Sequence, residues 1–146
     1  MSNIDKTDRM LIALLVQNAR IPIASLAGKL GMARTTVQAR IERLERTGVI
    51  TGYSARLGDK ADIGAIRSTV LIQLKPSAQA AVLTQLKHLM DVETAYTTSG
   101  RFDLCCELRS QSTLKLDETL DRIGEIEGVE GLESLIHLST RIDRRI

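Results

Sequence analysis

Arg34, Thr35, Thr36, Gln38, Arg40 and Arg43 fall in one short stretch whose spacing repeats along a helix. Glutamine and arginine can each make paired hydrogen bonds to one base edge in the major groove, while threonine hydroxyls and flanking arginines hold phosphates. The apolar residues Val37, Ile41 and Leu44 sit at i, i+4 and i+7 and define the inner side of that helix. Arg34, Thr35, Gln38, Ala39 and Glu42 then face outward, with Thr36, Arg40, Arg43 and Arg46 on the flanks. This composition suits a recognition helix reading double-stranded DNA. A plain helical hairpin with a solvated basic face would show the same pattern, so the decision rests on what surrounds it.

Other chemistry is poorly represented. His88 and His137 lie far apart, and no nucleophile elbow, phosphate-cradling loop or HExxH pattern occurs. His88 near a helix end and His137 on a strand have ordinary structural explanations. Asp117, Glu118 and Asp121 read as one solvated helix surface. Cys105 and Cys106 are adjacent, so on a strand they point to opposite faces and suit neither a disulfide nor a CxxC site. They read as small strand residues in a reducing compartment. Only Tyr53, Tyr96 and Phe102 are aromatic, too few for rows of stacking platforms on single-stranded nucleic acid. No metal or cofactor motif stands out, and the residues point away from an enzyme.

Stepping outward from the basic stretch, residues 5–18 are expected to form a helix with Asp5 as its cap and Ile4 as a staple. A second helix over 23–30 buries Ile23, Leu26, Ala27 and Leu30, and Gly31 ends it. The recognition helix follows over 34–47 and stops at Gly48. Ala27, Gly31 and Val37 supply the small contact residue, the sharp turn and the apolar anchor that two steeply crossing helices need. Val49-Ile50 and the residues after them read as a strand opening a wing. Charge supports the same division: residues 1–56 carry nine Lys/Arg against four Asp/Glu, and residues 57–146 carry eleven against fourteen. A basic first part joined to an acidic second part implies that only the first meets a polyanion.

Residues 57–66 are small, charged and glycine-containing, and are read as a linker between a domain at 1–56 and another at 67–146. The second domain alternates strand and helix patterns: strand 67–74, helix 77–90 with Ser77 as cap, strand 92–99, an alternating strand from Phe102 to Arg109, helix 113–127 and strand 129–140. The expected fold class is therefore α+β, a winged helix-turn-helix followed by a ferredoxin-like βαββαβ domain. Such a sheet has helices on one face only. Its bare face is expected to pack on a second copy. Asp103, after a glycine turn, has the position of a turn stabiliser or of a ligand contact. No apolar run reaches a membrane-spanning length and no apolar leader opens the chain, so a cytoplasmic protein is expected.

Across both domains the sequence resembles the Lrp/AsnC (feast/famine) transcription regulators. The resemblance rests on 4–11, on Asn18-Ala19-Arg20-Ile21, on 26–32, and on 37–50, most specifically on its closing Arg-x-x-x-Leu-Glu-x-x-Gly-Val-Ile pattern from Arg40 to Ile50. Thr98-Ser99-Gly100-Arg101-Phe102-Asp103 resembles the Gly-x-x-Asp loop of that family. The resemblance implies a homodimer, extending in many members to an octamer, with an amino-acid effector beside that loop. It implies that Gly100 lets backbone approach the effector and that Asp103 receives an ammonium group or braces the loop. Thr97, Thr98, Ser99 and Arg101 would line the edge, with Ser134 on the last strand as a further candidate. The chain departs from the family at Ala33, where relatives commonly carry a serine cap; losing a cap costs about 1 kcal/mol. Three alternatives remain open at this point: a ligand-independent DNA-organising regulator, a dimeric α+β barrel enzyme, and a scaffold that never touches DNA.

Overall fold

The computed structural model describes residues 4–58, 60–61 and 63–144. Asp59 and Asp62 of the expected linker, and residues 1–3 and 145–146 at the ends of the expected domains, lie outside the described residues. The chain forms two compact units, the first running to Arg56 and the second covering Leu57–Asp143.

The first unit is three helices: α1 (Lys6–Gln17), α2 (Ile23–Leu30) and α3 (Arg34–Arg46). On α1 the buried positions are Asp8, Leu11 and Leu15, and Met10 lies at the surface. Leu26, Ala27, Val37, Ile41 and Leu44 complete the small core. Leu11, Leu26 and Val37 are fully excluded from solvent, worth roughly 2 kcal/mol each in transfer free energy. Gly31 takes the left-handed conformation at φ 63°, letting the Met32 N–H return to the Ala27 carbonyl and turning the chain sharply into α3.

No strand forms over residues 49–58, which corrects the expected wing. The N–H groups of Val49 and Ile50 are spent on the Leu44 carbonyl at 2.9 and 3.0 Å, closing the end of α3 behind Gly48 at φ 73°. Their side chains pack onto the helical core instead. A strand needs a partner strand to satisfy its backbone, and this unit offers none.

The second unit runs β1 (Ile66–Leu74), α4 (Gln79–Leu86), β2 (Val92–Thr97), β3 (Leu104–Ser110), α5 (Thr113–Gly124) and β4 (Val129–Ile136). All pairings are antiparallel in the order β2-β3-β1-β4, the split arrangement expected from the sequence. Alternation places Val70, Ile72 and Leu74 of β1 and Leu104, Cys106 and Leu108 of β3 under the helices, where they meet Val82, Leu86, Leu116 and Ile123. Burial pushes the Cys106 thiol up to about 11, with the neighbouring Cys105 adding to it, so Cys106 stays a protonated core residue. Ser77 does not cap α4. That role falls to Ala78, which has no side-chain oxygen to offer, whereas Ser112 caps α5 by accepting from the Lys115 N–H at 3.1 Å.

Candidate functional site

The outer surface of α3 presents Arg34, Thr35, Thr36, Gln38, Ala39, Glu42 and Arg46, all exposed. Ala33 precedes the helix with no side-chain cap, so the first N–H groups of α3 keep their positive end toward solvent. Arg34 and Arg46 have no ion-pair partner among the described residues.

Arg40 and Arg43 lie differently. Arg40 Nη1 bonds Asp5 Oδ2 at 2.7 Å and Asp8 Oδ1 at 2.8 Å, while Arg43 Nη2 bonds the other oxygen of Asp8. Asp8 is completely buried. It and Asp5 also cap α1 reciprocally, the Asp8 N–H donating to Asp5 Oδ1 and the Asp5 N–H to Asp8 Oδ2. Burial of Asp8 opposes ionisation, but the hydrogen bonds from Arg43, Arg40 and the Asp5 N–H win and hold its pKa down to about 2. Asp5 is lowered too, by the Asp8 N–H and then by Arg40, and Arg40 is raised in return by Asp5 and Asp8. In the structure both Arg40 and Arg43, expected as phosphate contacts, brace the unit: their guanidiniums tie α3 to α1. A residue that sequence reasoning missed, Asp8, makes this possible. Its signal is legible in retrospect, because Asp8 falls on the same stripe as Leu11 and Leu15, and a charge on a core stripe demands partners.

At the C-terminal end of α3, Tyr53 Oη donates to Glu45 Oε1 at 2.8 Å. Burial and then Glu45 raise the tyrosine pKa, so the phenol stays protonated and holds the chain leaving the helix.

In the second unit, residues 98–103 form a tight loop between β2 and β3. The Thr98 N–H and hydroxyl bond the Asp103 and Phe102 carbonyls, and Gly100 sits at φ 108°, a conformation that side chains resist. Asp103 does not point outward as strand alternation implies. It stands before β3 begins, its N–H bonded to the Ile72 carbonyl, and its Oδ2 accepts the Leu74 N–H at 2.7 Å across the irregularity in β1. Of the two roles open to it, the structure displays the brace. A second pin was not anticipated: Gln73 Nε2 donates to the Arg101 carbonyl at 3.0 Å. Gly131 opposite leaves room for it, since a Cβ there would stand 2.7 Å from Gln73 Oε1. Thr97, Ser99, Gly100 and Arg101 remain exposed around this braced loop, with the Arg101 guanidinium 5.2 Å from the centre of the Phe102 ring.

Both units match known family models over most of the chain. Residues 4–45 match the AsnC-type helix-turn-helix domain and residues 68–146 the Lrp/AsnC ligand binding domain. The chain belongs to the Lrp/AsnC family of transcriptional regulators. Among relatives, it is 30% identical to the HTH-type transcriptional regulator FL11 of Pyrococcus furiosus, over 92% of this chain and 89% of that protein. Its fold is similar to that of AsnC from E. coli, with a TM-score of 0.88, 29% identity, and 99% and 98% of the two chains covered. A feast or famine regulatory protein from M. tuberculosis, solved in complex with L-methionine, gives a TM-score of 0.87 at 32% identity, covering 99% and 98%.

Within this Lrp/AsnC regulator, one expected effector residue stands apart from the rest. Ser134 pairs with Val70 on β4, whereas the loop joins the sheet in the row of Ile72 and Leu104, on the far side of β1. With strands about 4.8 Å apart, Ser134 is two strands and two residues away from the loop in the same chain. The face of the sheet away from the helices carries Leu71, Cys105, Tyr96 and Leu135, rimmed by Glu107, Glu133 and the Thr69–His137 hydrogen bond of 2.8 Å. Tyr96 and Leu135 are about half exposed there, at 55% and 49%. Among the described residues no group of three or more His, Cys, Asp or Glu is placed to hold a metal ion, and no helix is long and apolar enough to cross a membrane.

Proposed function

We propose that residues 1–56 of this regulator read a roughly palindromic operator in double-stranded DNA, and that residues 67–146 pair two copies and bind an amino acid. The reading rests on the surface of α3. Exposed Arg34, Thr35, Thr36 and Gln38 surround an uncapped helix start, and the helix is locked from behind by Asp8. A rigid helix with polar side chains on one face and free N–H groups at its start can hold phosphate and read base edges together. Arg46 joins this set, while Arg40 and Arg43 support it indirectly.

Pairing uses the bare face of the sheet, where a second copy covers Leu71, Cys105, Tyr96 and Leu135. Replacing Leu135 with Asp then yields a monomer by sedimentation; a dimer that persists unchanged removes this face from the interface. Dimers associating further into an octamer would bring the exposed edges of neighbouring loops together. The effector meets Thr97, Ser99, Arg101 and the Gly100 backbone, with Asp103 and Thr98 bracing the loop from within. The methionine complex of the M. tuberculosis relative supports an amino acid as the class of ligand. Ser134 takes part only if a neighbouring copy supplies it. The chromosome is the target, which puts the protein in the cytoplasm.

Two measurements test this. Duplex binding that falls steeply with salt, and more weakly in an Arg34→Ala variant, supports the DNA-reading unit. Thermal unfolding with each common amino acid then tests the sensing unit, because a ligand that binds the native state raises the melting temperature. One specific shift names the effector. No shift favours the ligand-independent regulator, a reading to which the internal use of Asp103 and Thr98 lends support.

A further inference from the structure

Glu42 is an acidic side chain on the face of α3 assigned to DNA, where a carboxylate is repelled by phosphates. Glu45 on the same helix is occupied by Tyr53, but Glu42 takes no part in the α1 brace. Its partner is Gln38, whose Nε2 donates to Glu42 Oε1 at 3.0 Å, one helical turn away. A carboxylate can only accept, so this bond settles which end of the Gln38 amide faces Glu42. The amide oxygen and one remaining N–H are left pointing elsewhere.

Resting on the DNA-reading role proposed for α3, we infer that Glu42 is a specificity-determining positioning residue that holds Gln38 for adenine. An acceptor beside a single donor is what the adenine major-groove edge requires, with its N6–H₂ donor and N7 acceptor. Guanine presents two acceptors, O6 and N7, and an untethered glutamine can turn both amide hydrogens toward them. With one hydrogen committed to Glu42, that second mode is closed. The carboxylate thus works chiefly against guanine, at the cost of some repulsion from the backbone, which is how a specific site rejects a competitor.

The test uses the full chain and a randomised duplex pool, with bound duplexes sequenced after selection. The wild-type profile is expected to show one adenine column in each half-site, preferred over guanine by about 5- to 100-fold. Gln38→Ala and Glu42→Ala should both flatten that column, with guanine rising in the second, and leave the other columns in place. Glu42→Gln, which can still accept from Gln38, should restore it. The inference is overturned if Glu42→Ala leaves the adenine column intact. It is also overturned if Glu42→Ala changes only a cytosine column that Gln38→Ala does not touch, since Glu42 would then read a base itself. A wild-type chain that enriches no duplex fails at the earlier step and overturns the DNA-reading role along with it.

Discussion

Removing the Asp8 carboxylate should strongly destabilise the DNA-reading unit. Three groups converge on it: Arg40 at 2.8 Å, Arg43, and the Asp5 N–H at 3.1 Å. Breaking a buried ion pair by deleting one partner costs about 3–5 kcal/mol, because the survivor stays buried and unpaired. Here the survivors are two arginines whose side chains are 25% and 39% exposed, so both can rehydrate in part. The expected loss for Asp8→Ala is therefore at the low end, about 3 kcal/mol. A small domain loses roughly 4–8 °C per kcal/mol, so the helical unit should melt roughly 12–24 °C lower. Circular dichroism of the full chain against temperature measures this.

The pH dependence gives a second arm. Folding lowers the Asp8 pKa from 3.8 to about 2, so its contribution is complete above about pH 4 and is lost as the pH falls toward 2. Asp5 is lowered as well and adds a slope of the same sign. Asp8→Asn should flatten most of the acid slope in stability between about pH 4 and 2 while leaving the neutral-pH fold intact. A melting temperature for Asp8→Ala within about 2 °C of wild type, together with an unchanged acid slope, would refute the claim that this carboxylate holds α3.

Three further changes have expected outcomes. Asp103→Ala leaves the Leu74 N–H without its acceptor and should cost about 1–3 kcal/mol, whereas Asp103→Asn keeps an oxygen there and should cost less. If Asp103→Asn keeps the melting temperature but abolishes the amino-acid shift, the carboxylate touches the ligand directly and the bracing role is not its main one. Gly128→Ala should be severe: the residue sits at φ 99°, and a Cβ there overlaps that of Ala78 at the start of α4. Strain and overpacking together put the loss at about 3 kcal/mol, read by denaturant unfolding. Ala33→Ser should do the opposite, adding about 1 kcal/mol by capping α3; an unchanged unfolding midpoint would mean the extended Ala33 backbone does not present a serine oxygen to the helix.

Periodicity carried most of the fold. Val37, Ile41 and Leu44 locate the inner side of α3, and alternation from Leu104 to Leu108 locates the core face of β3, because burial on one side leaves a period in the chain. What failed shares one cause. Val49 and Ile50 look like a strand because β-branched apolar residues favour strands, but they are recruited to finish a helix, and nothing local records where a partner strand is missing. Ser77 looks like a cap, yet the helix starts two residues later, a boundary that local side-chain type leaves unsettled.

The candidate site follows the same division. Which residues face outward on α3 is a local property and was readable; which outward cations are free is not. Arg40 and Arg43 have the type and spacing of phosphate contacts, and only the packing of α1 against α3 shows that Asp5 and Asp8 take them first. Salt dependence of duplex binding separates the two cases, since each cation that leaves a phosphate takes its share of counterion release with it. Arg34→Ala should lower the slope of log affinity against log salt by about one for each phosphate lost. Arg40→Ala should lower stability and leave that slope nearly unchanged. A slope that falls equally in both variants would show that Arg40 exchanges Asp8 for phosphate when DNA arrives, and the brace would then be a feature of the free protein alone.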